Sequence, residues 1–246
     1  MKIAISLVYY NDFEYLKPCI DSLLKSDINN EYLKLFCYDN FSKNDIQSVI
    51  SEYDINKWIF RSDKNDGIVI PRIKLYNKIV EEDFDFLLEI HSDMLFPKKW
   101  FGELMSIMDD ETLILEPHIF LPNKVIDVEY FENIVESLKY DKIYEKCVQV
   151  HPWLINLKLV DSIGGYYDQN FSPHECEDDD FVYRALHNGK KIKSTGKSWV
   201  VHYGGVTRHK VLPSSLSVNK QYFTNKHKIT FNHFKSMFEY HPYKMG

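Results

Sequence analysis

The chain has 246 residues, 44% hydrophobic and 27% charged, enough for one large domain or two small ones with a real core. Its net charge of −6 argues against electrostatic capture of nucleic acid, and so against a carboxylate-rich nuclease. Cys19, Cys37, Cys147 and Cys176 form no CxxC pair, which excludes a zinc ribbon or dithiol redox motif and predicts free thiols in a reducing compartment. The N-terminus MKIAISLVYYN lacks the longer apolar core and cleavage site of a signal peptide, and no window is apolar enough to span a bilayer. A cytoplasmic protein is the expectation.

Ile3–Val8 reads as a buried strand, broken by Tyr9-Tyr10-Asn11-Asp12. Phe13, Leu16, Ile20, Leu23 and Leu24 follow at helical spacing to about Lys25, with Pro18 as an alternative marker of the first turn. Leu33–Tyr38 is a second strand, ending in Asp39. Ser42-Lys43-Asn44-Asp45 resembles a capping box before a short helix through Val49, Ile50 and Tyr53. Trp58–Arg61 is a third strand and Asn65-Asp66-Gly67 a turn. A helix starting near Pro71 follows, through Ile73, Tyr76, Ile79 and Val80.

The run Phe84-Asp85-Phe86-Leu87-Leu88-Glu89-Ile90 then reads as a strand buried in a parallel sheet, ending at His91-Ser92-Asp93. Alternating strands and helices predict right-handed βαβ units in an α/β fold. Past Trp100 the pattern predicts a helix over Phe101–Met108, a strand over Thr112–Leu115 and a helix over Asp127–Tyr140. A strand over Trp153–Asn156, a short helix over Leu157–Ile163 and a loop at Gly164–Tyr167 come next. A helix opens at Glu177 and closes at Asn188-Gly189. Lys191–Lys193 and Trp199–His202 read as two strands, and the aromatic, basic tail from Asn219 as helix. The tail is expected to pack on the core; peripheral contact with an anionic membrane is the alternative.

Three places carry chemistry. Asp93 stands at a strand's carboxyl end, where ligands bind in open α/β sheets. It reads either as a helix cap or as a ligand for a divalent cation that holds phosphate oxygens. His202, at another strand end, can supply a neutral imidazole to the same Mn²⁺ or Mg²⁺. Glu175-Cys176-Glu177-Asp178-Asp179-Asp180 packs five acids into six residues, more than a helix cap needs. Crowded like charges raise pKa values, which suits a general base. Asp39 can accept hydrogen bonds from a base edge or serve as a turn former.

In this order the motifs resemble the family 2 glycosyltransferases of GT-A fold, over roughly residues 2–208. They are Val8-Tyr9-Tyr10-Asn11; Tyr38–Asp45; Asn65-Asp66-Gly67 with Pro71-Arg72; His91-Ser92-Asp93 in the place of the DXD motif; Gly164–Asp168 with Glu177–Arg184; and Val201-His202-Tyr203-Gly204-Gly205. His91 replaces the first Asp of DXD, and Ile73 replaces an Asn. The resemblance implies a mostly parallel central sheet flanked by helices, with a smaller mixed acceptor-side portion. It implies one catalytic domain over 1–210, with a nucleotide-binding half (1–96), an acceptor half (97–210) and a helical tail (211–246).

The implied activity is transfer of a sugar, with inversion, from a nucleoside diphosphate sugar to a hydroxyl of a glycan, lipid or protein. Asp178 is the implied base, with Asp179 second. Asp93 and His202 would hold Mn²⁺ or Mg²⁺. Val8, Tyr9, Asp39, Asn65, Arg72 and Ser92 would bind the nucleotide, and Gly165, Tyr166 and Glu177 the sugars. Arg208, His209 and Lys210 either contact the diphosphate or form a solvated basic loop. A carboxylate at 39 favours bases with an N–H on the pairing edge, hence UDP-, dTDP- or GDP-sugars over CMP-sugars. The alternatives are a non-catalytic binding module of this fold and a sugar nucleotidyltransferase. The latter would want a glycine-rich basic loop where Tyr9-Tyr10-Asn11-Asp12 stands.

Overall fold

A computed structural model describes residues 1–28, 32–146, 151–204, 213–238 and 244–245. The first half is the expected alternation: β1 (Ile3–Tyr9), α1 (Phe13–Lys25), β2 (Leu33–Asp39), α2 (Ile46–Ile50), β3 (Asn56–Arg61), α3 (Val69–Val80) and β4 (Phe86–Ile90). Strands β3, β2, β1 and β4 lie side by side and parallel. The apolar runs of β1, β2 and β4 bury on both faces, while β3 lies at the sheet's edge and is only partly covered. One face packs on α1 through Leu16, Ile20 and Leu23, and on α2 through Ile46 and Ile50. The other packs on α3 through Val69, Leu75 and Ile79.

Two local expectations change. Helix α1 begins at Phe13, so Pro18 lies inside it; Pro18 is on the exposed face, where water can satisfy the carbonyl that its missing N–H leaves free. The cap of α2 is Asp45, accepting from Gln47 N at 2.9 Å, and not Ser42. The Ser42 hydroxyl instead accepts from Asn11 N at 3.1 Å, and the Asn11 side chain accepts from Lys43 N at 2.7 Å. The loops after β1 and β2 are thus laced together at the sheet's carboxyl edge.

The second half is mixed. It contains β5 (Met94–Leu95), α4 (Trp100–Met105), β6 (Thr112–Leu121), α5 (Val128–Leu138), β7 (Ile143–Tyr144), β8 (Trp153–Asn156) and α6 (Leu157–Val160). After these come α7 (Glu177–His187), β9 (Lys191–His202), α8 (Leu216–His227), α9 (Phe231–Lys235) and β10 (Lys244–Met245). The sheet continues from β4 through β8, β6 and β9 to β5, with β8 antiparallel to both its neighbours. The two strands expected at Lys191 and Trp199 are one, β9. Against β6, its Thr195 faces Pro117 and its Trp199 faces His118, so residues 196–198 bulge. Gly196 sits in that bulge because a Cβ there would lie 2.6 Å from the Tyr140 carbonyl.

The tail packs as expected. Phe223 of α8 and Phe234 of α9 are fully buried against α7 and the sheet. Among the described residues no helix is long and apolar enough to cross a membrane.

Candidate active site

Asp93 closes the Ser92-Asp93 turn between β4 and β5; His202 ends β9. The antiparallel pairing of β5 with β9 sets Met94 opposite His202, which brings the two side chains together. His202 Nε2 lies 3.3 Å from Asp93 Oδ1. His91 Nδ1 lies 3.2 Å from the same Nε2. Donor atoms of His91, Asp93 and His202 all fall within 4.8 Å of one another. Asp93 is 6% exposed and His202 4%.

Burial alone would raise the Asp93 carboxyl; the imidazole of His202 against it carries it below the ordinary carboxylate range. Burial, with His151, His202 and Arg72 nearby, holds the His91 imidazole well below its ordinary value. Buried imidazole and carboxylate donors converging on one point fit a divalent cation. His202 Nδ1 is buried with no partner among the described residues.

Behind this cluster is a polar network that the sequence reading missed. Glu89, fully buried in β4, accepts from the Tyr167 hydroxyl at 2.9 Å and meets His151 Nε2 at 2.7 Å. Its carboxylate also pairs with the Arg72 guanidinium. Arg72 Nη2 donates to His91 Nε2 at 3.0 Å. An acid inside the apolar run Phe86–Ile90 was a visible signal, because an unpaired charge does not survive in such a strand.

Helix α7 is tied to the same network: Tyr167, which donates to Glu89, follows Tyr166, whose carbonyl accepts from Arg184 of α7. The chain enters α7 through Glu175 and Cys176, both left-handed (φ 76° and 69°), a conformation that costs of order 1–3 kcal/mol per residue and gathers at functional sites. Burial, then Asp178, pushes Glu177 upward; burial, then Asp178, also raises Asp179, against the pull of Lys235. Asp180 is structural: it binds Arg184 Nε at 2.8 Å, His227 Nε2 at 2.7 Å and Lys226 at 2.7 Å. Arg184 reaches back to the carbonyls of Ile163 at 3.1 Å, Gly165 at 2.6 Å and Tyr166 at 2.5 Å. The loop Gly164–Tyr167 is thereby fixed to α7. Tyr166 stacks on Tyr76 at 4.4 Å, and its buried hydroxyl, like Glu177 Oε2, has no partner among the described residues.

On the nucleotide side, Asp39 is buried, accepts from Ser42 N at 2.8 Å and pairs with Arg61 Nη1 at 2.8 Å. Asn65 Oδ1 accepts from Asn40 Nδ2 at 3.0 Å and Gly67 N at 2.9 Å, shaping the turn before α3. Gly67 has φ 79°, and a Cβ there would lie 2.4 Å from the Pro173 carbonyl, so the turn abuts the loop leading to α7. Ser92 Oγ donates to Asp12 at 3.2 Å, and Val8 is half-buried.

Two expected nucleotide contacts sit deeper than anticipated. Tyr9 is fully buried in the core and shows no open ring face, and Arg72 is 3% exposed and spent on Glu89 and His91. Arg208, His209, Lys210 and Gly205 lie outside the described residues.

Several solved structures share this fold. GalNAc-T7, crystallised with UDP, GalNAc and Mn²⁺, aligns with 95% of this chain and 50% of its own at TM-score 0.69 and 15% identity. A fragment of S. aureus TarS with UDP-GlcNAc aligns with 96% of this chain and 70% of its own at TM-score 0.66 and 14% identity. Another crystal structure of that fragment is covered over 60% of its length at TM-score 0.62 and 16% identity, so the chain spans less than two thirds of that relative. Among curated proteins nothing matches. The sequence model described as glycosyl transferase family 2 matches residues 5–142, more than half of the chain. A match over that share of the sequence makes the chain a member of glycosyl transferase family 2.

Proposed function

We propose that the protein transfers a sugar from a nucleoside diphosphate sugar to an acceptor hydroxyl, with inversion and with a divalent cation held by Asp93 and His202. The observation that carries this reading is the convergence of Asp93, His202 and His91 at the sheet's carboxyl edge, linked to α7 through Arg72, Glu89 and Tyr167, whose neighbour Tyr166 has its carbonyl gripped by Arg184. UDP is the favoured nucleotide of UDP, dTDP and GDP, because TarS and GalNAc-T7 were both crystallised with UDP or a UDP-sugar. Asp39, Asn65, Ser92 and the backbone at Val8–Tyr9 line the nucleotide side. A cation between Asp93 and His202 supplies positive charge for the departing diphosphate.

Asp178 takes the proton of the acceptor hydroxyl as its oxygen attacks the anomeric carbon opposite the diphosphate. Asp179 is the weaker choice because Lys235 already holds its carboxylate. Glu177, inclined to keep a proton, and the Tyr166 hydroxyl offer unpaired buried groups to sugar hydroxyls, beside Gly165. The acceptor is a glycan, lipid or protein.

Turnover of UDP-GlcNAc with Mn²⁺, read as UDP release, tests the proposal. Asp178→Asn is expected to lose about 10²-fold or more in turnover while still binding UDP with Mn²⁺. Undiminished turnover would remove Asp178 as base, and a wild-type chain that binds UDP but never turns over any UDP-, dTDP- or GDP-sugar would be a binding module.

A further inference from the structure

Three side chains crowd the cation position, and counting donor atoms makes all of them ligands. Hydrogen positions say otherwise. A guanidinium has only donors. Arg72 Nη2 lies 3.0 Å from His91 Nε2, so that nitrogen must present a lone pair. A proton on Nε2 would set N–H against N–H, in a neutral or a charged ring alike. The ring's proton is therefore on Nδ1, the atom that faces His202 and Asp93. A protonated ring nitrogen cannot bind a metal.

The Arg72 end of this clamp is not free to turn. Its guanidinium is 3% exposed and pairs with Glu89, itself fully buried and held by Tyr167 and His151. The His151 ring packs against His91 at 5.0 Å and against Trp153 at 4.5 Å, which limits rotation of His91 from behind.

Resting on the metal reading above, we infer that His91 is not the third metal ligand: Glu89 and Arg72 lock it as an N–H donor aimed into the cluster. Without a cation, His202 Nε2 cannot satisfy both neighbours. Bearing a proton it suits Asp93 and opposes His91; bearing a lone pair it suits His91 and opposes Asp93. His202 and Asp93 would give their lone pairs to a bound cation, which would end that conflict and leave the His91 N–H for an anionic oxygen, such as one on a diphosphate. Glu89 and Arg72 are then positioning residues, and His91 serves the leaving group by hydrogen bonding.

Two measurements on the wild-type chain, labelled with ¹⁵N-histidine, decide this. Long-range ¹H–¹⁵N correlation on the metal-free protein is expected to show His91 protonated at Nδ1 and bare at Nε2; the opposite tautomer overturns the inference without touching the metal reading. Electron spin-echo modulation of added Mn²⁺ is expected to show one directly bound imidazole, lost in His202→Asn. Two bound imidazoles overturn the inference and leave the metal site standing. A wild-type chain that takes up no Mn²⁺, with or without UDP, removes the metal reading and this role together. His91→Asn, which retains an N–H donor, is expected to keep Mn²⁺ affinity within about tenfold of wild type; a larger loss counts against it.

Discussion

Glu177 is 8% exposed, beside Asp178, with one oxygen unpartnered among the described residues. Its folded-state pKa is raised, first by burial and then by Asp178. The protonated form is the one the fold accepts, so its contribution to stability is full below the ordinary carboxylate range and lost as pH rises through the raised value. Glu177→Gln keeps the neutral shape at every pH. Thermal melts should show the variant matching wild type near pH 4 and exceeding it near pH 9 by of order 1 kcal/mol or more; an equal shift at both would contradict the assignment.

Crowded acids predicted such a shift from sequence, but which residues would carry it depended on burial that no spacing encodes. Asp39 teaches the same lesson. Its partner Arg61 is its register neighbour on the adjacent strand, and under the proposed function the pair would offer a base an acceptor beside a donor. The amino group and N3 of cytosine match that pair too, so the carboxylate alone no longer discriminates among bases.

At the scale of elements, α7 is held from two sides. Arg184 ties it to the Gly164–Tyr167 loop, and α8 ties it to the tail through Lys226 and His227 on Asp180. Asn219 adds hydrogen bonds to the carbonyls of Phe171, His174 and Glu175 at 2.8–2.9 Å. Burial alone would raise Asp180, but the His227 hydrogen bond, then Arg184 and Lys226, carry it down to about 2. Stability from this group is therefore present above the ordinary carboxylate range and lost as pH falls toward 2. Asp180→Asn should cost about 2–4 kcal/mol at pH 7 and far less near pH 2, by denaturant midpoints. A loss independent of pH would mean that packing, not charge, holds the helix.

The acidic start, the apolar Phe181, Ala185 and Leu186 and the Asn188-Gly189 end made α7 legible in sequence, and the aromatic, basic composition from Asn219 predicted the helical tail. What they grip was not, because Arg184 and Asn219 bond to backbone carbonyls, which carry no residue signature.

At the scale of the molecule, the parallel half was legible because β1, β2 and β4 are apolar on both faces and a helix follows each of β1, β2 and β3. Beyond Trp100 the strand order depends on β8 inserting antiparallel between β4 and β6, a long-range pairing that local pattern does not state. Asp93 and His202 were identified from their strand-end positions; His91 was counted as a departure, because its relation to Arg72 appears only when β4 and α3 pack. The account as a whole holds that nucleotide and cation bind together at Asp93 and His202. Calorimetric titration of UDP with and without Mn²⁺, on wild type and Asp93→Ala, tests this most directly. UDP should bind the wild type at least roughly tenfold more tightly with Mn²⁺ than in chelator, and Asp93→Ala should abolish that difference. Equal UDP affinity in chelator, or an undiminished Mn²⁺ effect in Asp93→Ala, would contradict it.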